Sequence, residues 1–175
     1  MKPPQPGAEV KKILYDLRFK RYMVLSRDLP RIKGACAWCR NAGRQGLKYC
    51  SEACHNEADI RSNGNIAARY VRQRDKGVCT RCGIDTNIIA NVWTRIVCSY
   101  NSATGLRFGL SDNGRSLRKK WLKQWGPWER RGYSNHFAEI HHILPVHKGG
   151  GCCGIDNLET LCIKCHKAET KRKDK

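Results

Sequence analysis

Eight of the chain's 11 cysteines fall into four close pairs, Cys36/Cys39, Cys50/Cys54, Cys79/Cys82 and Cys162/Cys165. That spacing constrains the fold more than any other feature. A close pair aims its sulfurs into one small volume, and two pairs supply the ligands of a closed tetrahedral zinc site. The other use of paired cysteines is a disulfide framework, which belongs to an oxidising compartment. The chain opens MKPPQPGAEVKK, with no apolar leader. No run approaches the roughly 18–20 apolar residues of a membrane span. The expectation is two structural zinc ions, no membrane, and a reducing compartment: cytoplasmic, or nuclear in a eukaryote.

The first set reads Cys36-x2-Cys39-x10-Cys50-x3-Cys54. Its first pair lies on a turn, CAWCRNAG, and its second opens a helix, YCSEACHNEADIR, with Ser51 and Glu52 in the first turn. His55 adjoins Cys54, but four cysteines already complete a shell. The second set is split between Cys79/Cys82, in VCTRCG, and the distant Cys162/Cys165. Such a site ties the start of a domain to its end, which a small core needs. At 175 residues the chain fits one modest domain or two small ones.

Between the sets, NIAARYVRQRDK predicts a helix over Asn65–Lys76, with Ile66, Ala67, Tyr70 and Val71 on one face and Gly77 as its stop. Gly64 either separates this helix from the one before or kinks a continuous one. Upstream, Val10, Ile13, Leu14 and Leu17 keep helical spacing inside a basic stretch. That arm either packs on the next module or contacts phosphate.

Net charge is +19, from 34 Lys and Arg against 15 Asp and Glu, so a polyanion is the expected partner, DNA first. Neither the charge nor phosphate chemistry distinguishes DNA from RNA. In residues 83–138, Leu117, Trp121, Leu122 and Trp125 keep helical spacing while Arg118, Lys119, Lys120 and Lys123 crowd round them. The favoured reading makes the Trp side chains core and the cations a face towards phosphate. The other reading has the rings stacking bases or wedging a groove. No Walker-type glycine loop occurs, so nothing indicates an ATP motor.

The chemistry concentrates in Glu139–His166, EIHHILPVHKGGGCCGIDNLETLCIKCH. His141 and His142 sit on a run that reads as a short strand, pointing locally to opposite sides. A glycine-rich turn, Asn157 and a second apolar run, Leu158–Cys162, follow. Cys165 and His166 are neighbours; at a helix start their side chains diverge by about 100°. Cys165 would then face a structural zinc and His166 a different site.

The histidine pair, the Asn-Leu step and Cys-x-x-Cys-His appear in order, as His142-x14-Asn157-x8-His166. Over Cys79 to about Thr170 this resembles the HNH endonuclease family, with its ββα-metal fold. YCSEACHNEADIRSN, GVCTRC and HKGGGCCGIDNLETLCIKCHKAET extend the likeness, from Tyr49 to Thr170, to the nuclease domains carried by vertebrate annealing helicases. The Cys36–Cys54 set looks like a treble-clef finger of the FCS type.

The resemblance implies an α+β fold: a basic arm (1–33), a four-cysteine finger (34–64) and a zinc-stapled nuclease domain (65–175) with an insert at 83–138. By the same resemblance His142 is the general base, Asn157 orients it, and His141 and His166 bind one catalytic divalent ion. The products would be 5′-phosphate and 3′-hydroxyl ends. Many family members carry Asp where His141 stands; two imidazoles suit Mn²⁺, Ni²⁺, Co²⁺ or Zn²⁺ better than Mg²⁺. Lys148 joins the basic residues as a nucleic-acid contact, His147 is expected at the surface, and Cys98, Cys152 and Cys153 as free thiols. The implied function is metal-dependent hydrolysis of DNA. The alternative is a non-catalytic zinc-finger nucleic-acid-binding protein, which would not need His142.

Overall fold

The computed structural model describes residues 3–29, 31–43, 46–97, 116, 119–121, 123–124 and 137–173. The helical spacing near the N-terminus becomes α1 (Ala8–Leu17), and its apolar face turns inward. Val10 is fully buried, and Leu14 and Leu17 pack against the same cluster, which holds Val24, Leu29, Cys36, Trp38, Cys54 and Ala58. The arm therefore packs on the four-cysteine finger, while Lys11 and Lys12 stay exposed. A strap before the helix closes over the turn between the first two cysteines. The Gly7 N–H donates to the Trp38 carbonyl at 3.0 Å, and Trp38 Nε1 donates to the Pro4 carbonyl at 2.9 Å.

Helix α2 (Glu52–Ser62) begins where Ser51 caps it, its side chain accepting from the Cys54 N–H at 3.2 Å. Ser51 is thus the cap rather than a first-turn residue, as its preference for that position explains. Asn63 is extended and ends α2. Its Oδ1 accepts from the N–H groups of Asn65 and Ile66, so the same residue caps α3 (Gly64–Arg74). The two helices are separate, not one kinked rod. Helix α3 stops short of the expected Lys76, because Lys76 and Gly77 both lie in the left-handed region, at φ 53° and 72°. Its buried Ala67 and Val71 meet Ile60 of α2 and Leu158.

Strand β1 (Ala138–His142) pairs with β2 (Leu158–Cys162), and α5 (Ile163–Lys173) follows without a break. The Ile143 N–H donates to the Asn157 carbonyl at 3.0 Å, joining the residue after β1 to the residue before β2, as in an antiparallel hairpin. This is the ββα order expected from the sequence. Every residue of β2 is buried.

Two compact units divide the chain. The first comprises Met1–Arg74 with Ile140–Glu159, and holds the arm, the finger, α2, α3 and the loop between the strands. The second comprises Asp75–Glu139 with Thr160–Lys175. It contains α4 (Thr86–Val97), whose buried Ile89 packs with Phe137, Ile84, Ala90, Trp93 and Trp121. Trp121 is thus half-buried against this cluster, while Lys119, Lys120 and Lys123 are helical and exposed. Leu117, Arg118, Leu122 and Trp125 lie outside the described residues. Among the described residues no helix is long and apolar enough to cross a membrane.

Trp38 is the largest fully buried side chain of the first unit, with the Arg61 guanidinium 4.8 Å from its ring. Trp38→Ala should lower unfolding free energy by about 3–5 kcal/mol, the range for emptying a buried aromatic site. Urea denaturation of zinc-loaded protein measures it, with Trp38→Phe losing clearly less.

Candidate functional site

The four-cysteine spacings do bring their sulfurs together. Cys36, Cys39, Cys50 and Cys54 form one group and Cys79, Cys82, Cys162 and Cys165 another, with ligand atoms in each group within 4.8 Å of one another. Cys39 and Cys50 are 3.6 Å apart, Cys50 and Cys54 3.6 Å, and Cys82 and Cys162 3.7 Å. A tetrahedron with Zn–S bonds of about 2.3 Å has edges of about 3.8 Å. The donor set and its dimensions fit zinc. The ten described cysteines are free thiols, Cys152 and Cys153 among them; Cys98 lies outside the described residues.

The two tight turns share one construction. The Cys36 N–H donates to the Asn41 carbonyl and the Arg40 N–H to the Cys36 carbonyl. In the second turn Cys79 and Ile84 pair in the same way, and the Gly83 N–H donates to the Cys79 carbonyl. Backbone N–H groups consequently face the first sulfur of each turn. Burial acts to raise the Cys36 thiol, but donors from Cys50, Cys39 and Trp38 outweigh it and hold the group at about 6. Cys79 is likewise held at about 7 against burial, by donors from Cys162, Cys82 and Arg81. Burial and neighbouring sulfurs push Cys54 up to about 12 and also raise Cys165. Each group thus holds one thiol readied as an anion and another that needs a cation beside it to ionise.

Between the strands, Asn157 is the organising side chain. Its Oδ1 accepts from the Leu144 N–H at 2.8 Å, and its Nδ2 donates to the carbonyls of Leu144 at 3.1 Å and Gly150 at 2.9 Å. One amide therefore fixes the chain just after His142 and closes the loop that leads back to β2. The close approach demands glycine, since a Cβ on Gly150 would overlap the Leu144 carbonyl oxygen. Arg74, at the end of α3, donates to the carbonyls of Ile155 and Leu158, both at 2.7 Å, and holds the far side of the loop.

The N-terminal segment docks on the same loop. The Gly151 N–H donates to the Arg18 carbonyl at 2.8 Å and the Cys152 N–H to the Tyr22 carbonyl at 3.1 Å. The buried Cys152 joins the core of the finger and arm. Burial raises its thiol to about 11, so it stays neutral and packs as a small apolar group. The Tyr22 ring meets the His142 ring edge-on, with centroids 5.4 Å apart. Arg74, Gly151 and Tyr22 escaped the sequence reading. The triple glycine at 149–151 was the available signal that another backbone comes close there.

His141 and His142 are half-buried on β1, and His166 is half-buried in the first turns of α5, its carbonyl accepting from Thr170 Oγ1 at 3.0 Å. His147 and Lys148 are exposed.

Residues 129–172 match the family model described as HNH endonuclease. The chain is 33% identical over 138 residues to the DNA annealing helicase and endonuclease ZRANB3 of Mus musculus, an alignment covering 73% of this chain and 11% of that protein. The Homo sapiens protein of the same name gives the same identity and coverage. The Bos taurus protein is 32% identical over 146 residues, covering 78% of this chain and 12% of its own. The chain thus spans about a tenth of the length of these relatives. The crystal structure of the human ZRANB3 HNH domain aligns with 28% identity and a TM-score of 0.39, covering 63% of this chain and 89% of that one. With the histidine pair, the asparagine and the Cys-x-x-Cys-His step in order inside the matched segment, the chain belongs to the HNH endonuclease family.

Asn157→Ala removes three hydrogen bonds from one loop, and should cost about 2–3 kcal/mol at roughly 1 kcal/mol per bond. Asn157→Asp should do no better in the same denaturation assay. Its carboxylate can still accept from Leu144, but it faces two carbonyl oxygens where the amide donated.

Proposed function

We propose that the chain is a metal-dependent endonuclease that hydrolyses phosphodiester bonds of DNA and leaves 5′-phosphate and 3′-hydroxyl ends. The observation that carries the reading is Asn157, the central residue of the family motif, tying both ends of the loop that leaves His142. A spacer in a purely structural finger has no need of such a fixture. The relatives' name, DNA annealing helicase and endonuclease, supports the same substrate and reaction class.

In this reading His142 takes a proton from the attacking water, a task that suits imidazole because its pKa lies near working pH. Asn157 acts through the backbone at Leu144, holding the end of β1 and so the direction of the His142 ring. By their places in the family motif, His141 and His166 are the ligands of the catalytic divalent ion. Bound there, the ion would supply positive charge to the scissile phosphate and the leaving 3′-oxygen. The imidazole donors favour Mn²⁺, Co²⁺, Ni²⁺ or Zn²⁺ over Mg²⁺. Lys119, Lys120, Lys123 and Lys148, with Arg118, would hold the phosphate backbone outside the reacting centre. The working organisation is an arm (1–33), a finger (34–64) and a nuclease domain (65–175), acting in a reducing compartment, where thiolate sites persist.

Two structural zinc ions complete this picture. Elemental analysis of protein purified without added metal should give about two zinc per chain, from four thiolates per closed site. One ion or fewer, with disulfides found by mass spectrometry, would overturn the assignment.

His142→Ala should lower plasmid nicking by about a hundred- to ten-thousandfold, the usual cost of a lost general base. Zinc content and DNA affinity should remain. His166→Ala should also lose activity but regain part of it at high Mn²⁺. Wild-type protein that nicks nothing with any ion would leave the binding-module reading in its place.

A further inference from the structure

The segment Tyr15–Tyr22, YDLRFKRY, has a surface that neither the finger nor the proposed catalytic residues explain. Three of its rings stand out in solvent: Tyr15 is 59% exposed, Phe19 48% and Tyr22 67%. Exposed large apolar side chains scattered singly are ordinary. These are gathered on one short segment and joined by a cation. The Arg18 guanidinium carbon lies 3.8 Å from the Tyr15 ring centroid and 4.7 Å from that of Phe19.

The rings are also held in place. The Arg18 and Tyr22 carbonyls accept from Gly151 and Cys152, and a Cβ on Gly149 would fall 2.8 Å from the Phe19 ring. Phe19 and Tyr22 thus sit against the loop that Asn157 closes, Tyr15 is joined to them through Arg18, and Tyr22 at the end of the row touches His142. Lys20 is exposed within the segment and Lys11 and Lys12 just before it; one carboxylate, Asp16, is exposed among them, while that of Glu9 is taken by Arg40 and that of Asp28 by Arg21.

We propose that Tyr15, Phe19 and Tyr22 form a stacking platform for the unpaired bases of a single nucleic-acid strand, whose backbone the adjacent lysines follow towards His142. The inference deepens the nuclease reading and rests on it for the direction of the strand. Rings with cations between them are the recurring means of holding single strands, because every base has a face to stack. A paired duplex presents its phosphates and groove edges and leaves base faces covered, so it has no use for three exposed rings. The chemistry thus assigns the arm to single strands and the lysines to either form.

The test is fluorescence anisotropy with the full chain, a labelled oligo-dT strand and a duplex of the same length, at one salt concentration and without added divalent ions. Tyr15→Ala and Tyr22→Ala should each weaken single-strand binding by roughly five- to a hundredfold, the range for one lost stacking contact. Duplex binding should move by less than about twofold, since phosphate contacts remain. Phe19→Leu keeps an apolar contact at Gly149 while removing the ring face, and should follow the same pattern; Tyr22→Trp should bind as well as wild type. Equal losses on both DNA forms, or no loss on either, overturn the platform. Binding is read apart from cleavage, so discrimination between strands in a protein that cuts nothing would sink the nuclease reading and leave the platform standing. Cleavage without discrimination would do the reverse.

Discussion

The convergence of eight thiols into two groups of four is the constraint on which the rest of the structure depends. Among the described residues the apolar side chains do not make one large core. They form separate small clusters, and Cys36, Cys54, Cys79 and Cys162 are themselves members of two of them. A cluster of that size buries little surface, and small domains commonly rely on metal to close the balance. The thiols therefore have two roles at once: packing atoms in the core and prospective ligands. That double role explains why the sulfurs lie near tetrahedral spacing while their shells remain apolar.

The two tight turns show how sequence can vary under one geometry. Arg40 and Gly83 occupy equivalent positions, at φ 64° and 71°. Gly83 adopts that backbone freely, whereas a residue with a Cβ bears a cost of about 1–2 kcal/mol there. Arg40 offsets it with its ion pair to Glu9 at 3.0 Å and by lying under the Gly7 strap, where Arg40 and Cys39 atoms fill the space a Cβ on Gly7 would need. The strained residue in the first turn is thus also the seat of the N-terminal arm.

Much of this was legible in the sequence, for identifiable reasons. Cysteine spacing announces four-thiol groups because the ligands are local pairs, and both groups formed as the spacing required. The strand over Leu158–Cys162 was readable because a short apolar run bounded by turn residues leaves few alternatives. Asn63 was harder, since its extended backbone breaks the helix and its side chain starts another. What stayed hidden was long-range backbone pairing. Nothing in the letters KRY or GGG states that Arg18 and Tyr22 carbonyls will meet the N–H groups of Gly151 and Cys152. Such bonds involve main-chain atoms that every residue carries, so they leave no compositional trace. The glycines mark only that some backbone comes near. The same limit concealed Arg74, whose two carbonyl partners lie far along the chain.

The burial of Cys152 beside Val10, Val24 and Trp38 bears on the order in which the protein can be assembled. A ribosome delivers the arm and the finger well before it delivers residue 152. Until then that cluster lacks one wall, and the carbonyls of Arg18 and Tyr22 have only water for partners. Long-range closure of this kind is slow, because the chain entropy must be lost before the contact is gained. The nascent finger thus waits with an open seam for a segment more than half the chain away, and the arm and finger are complete only once that segment has folded back onto them.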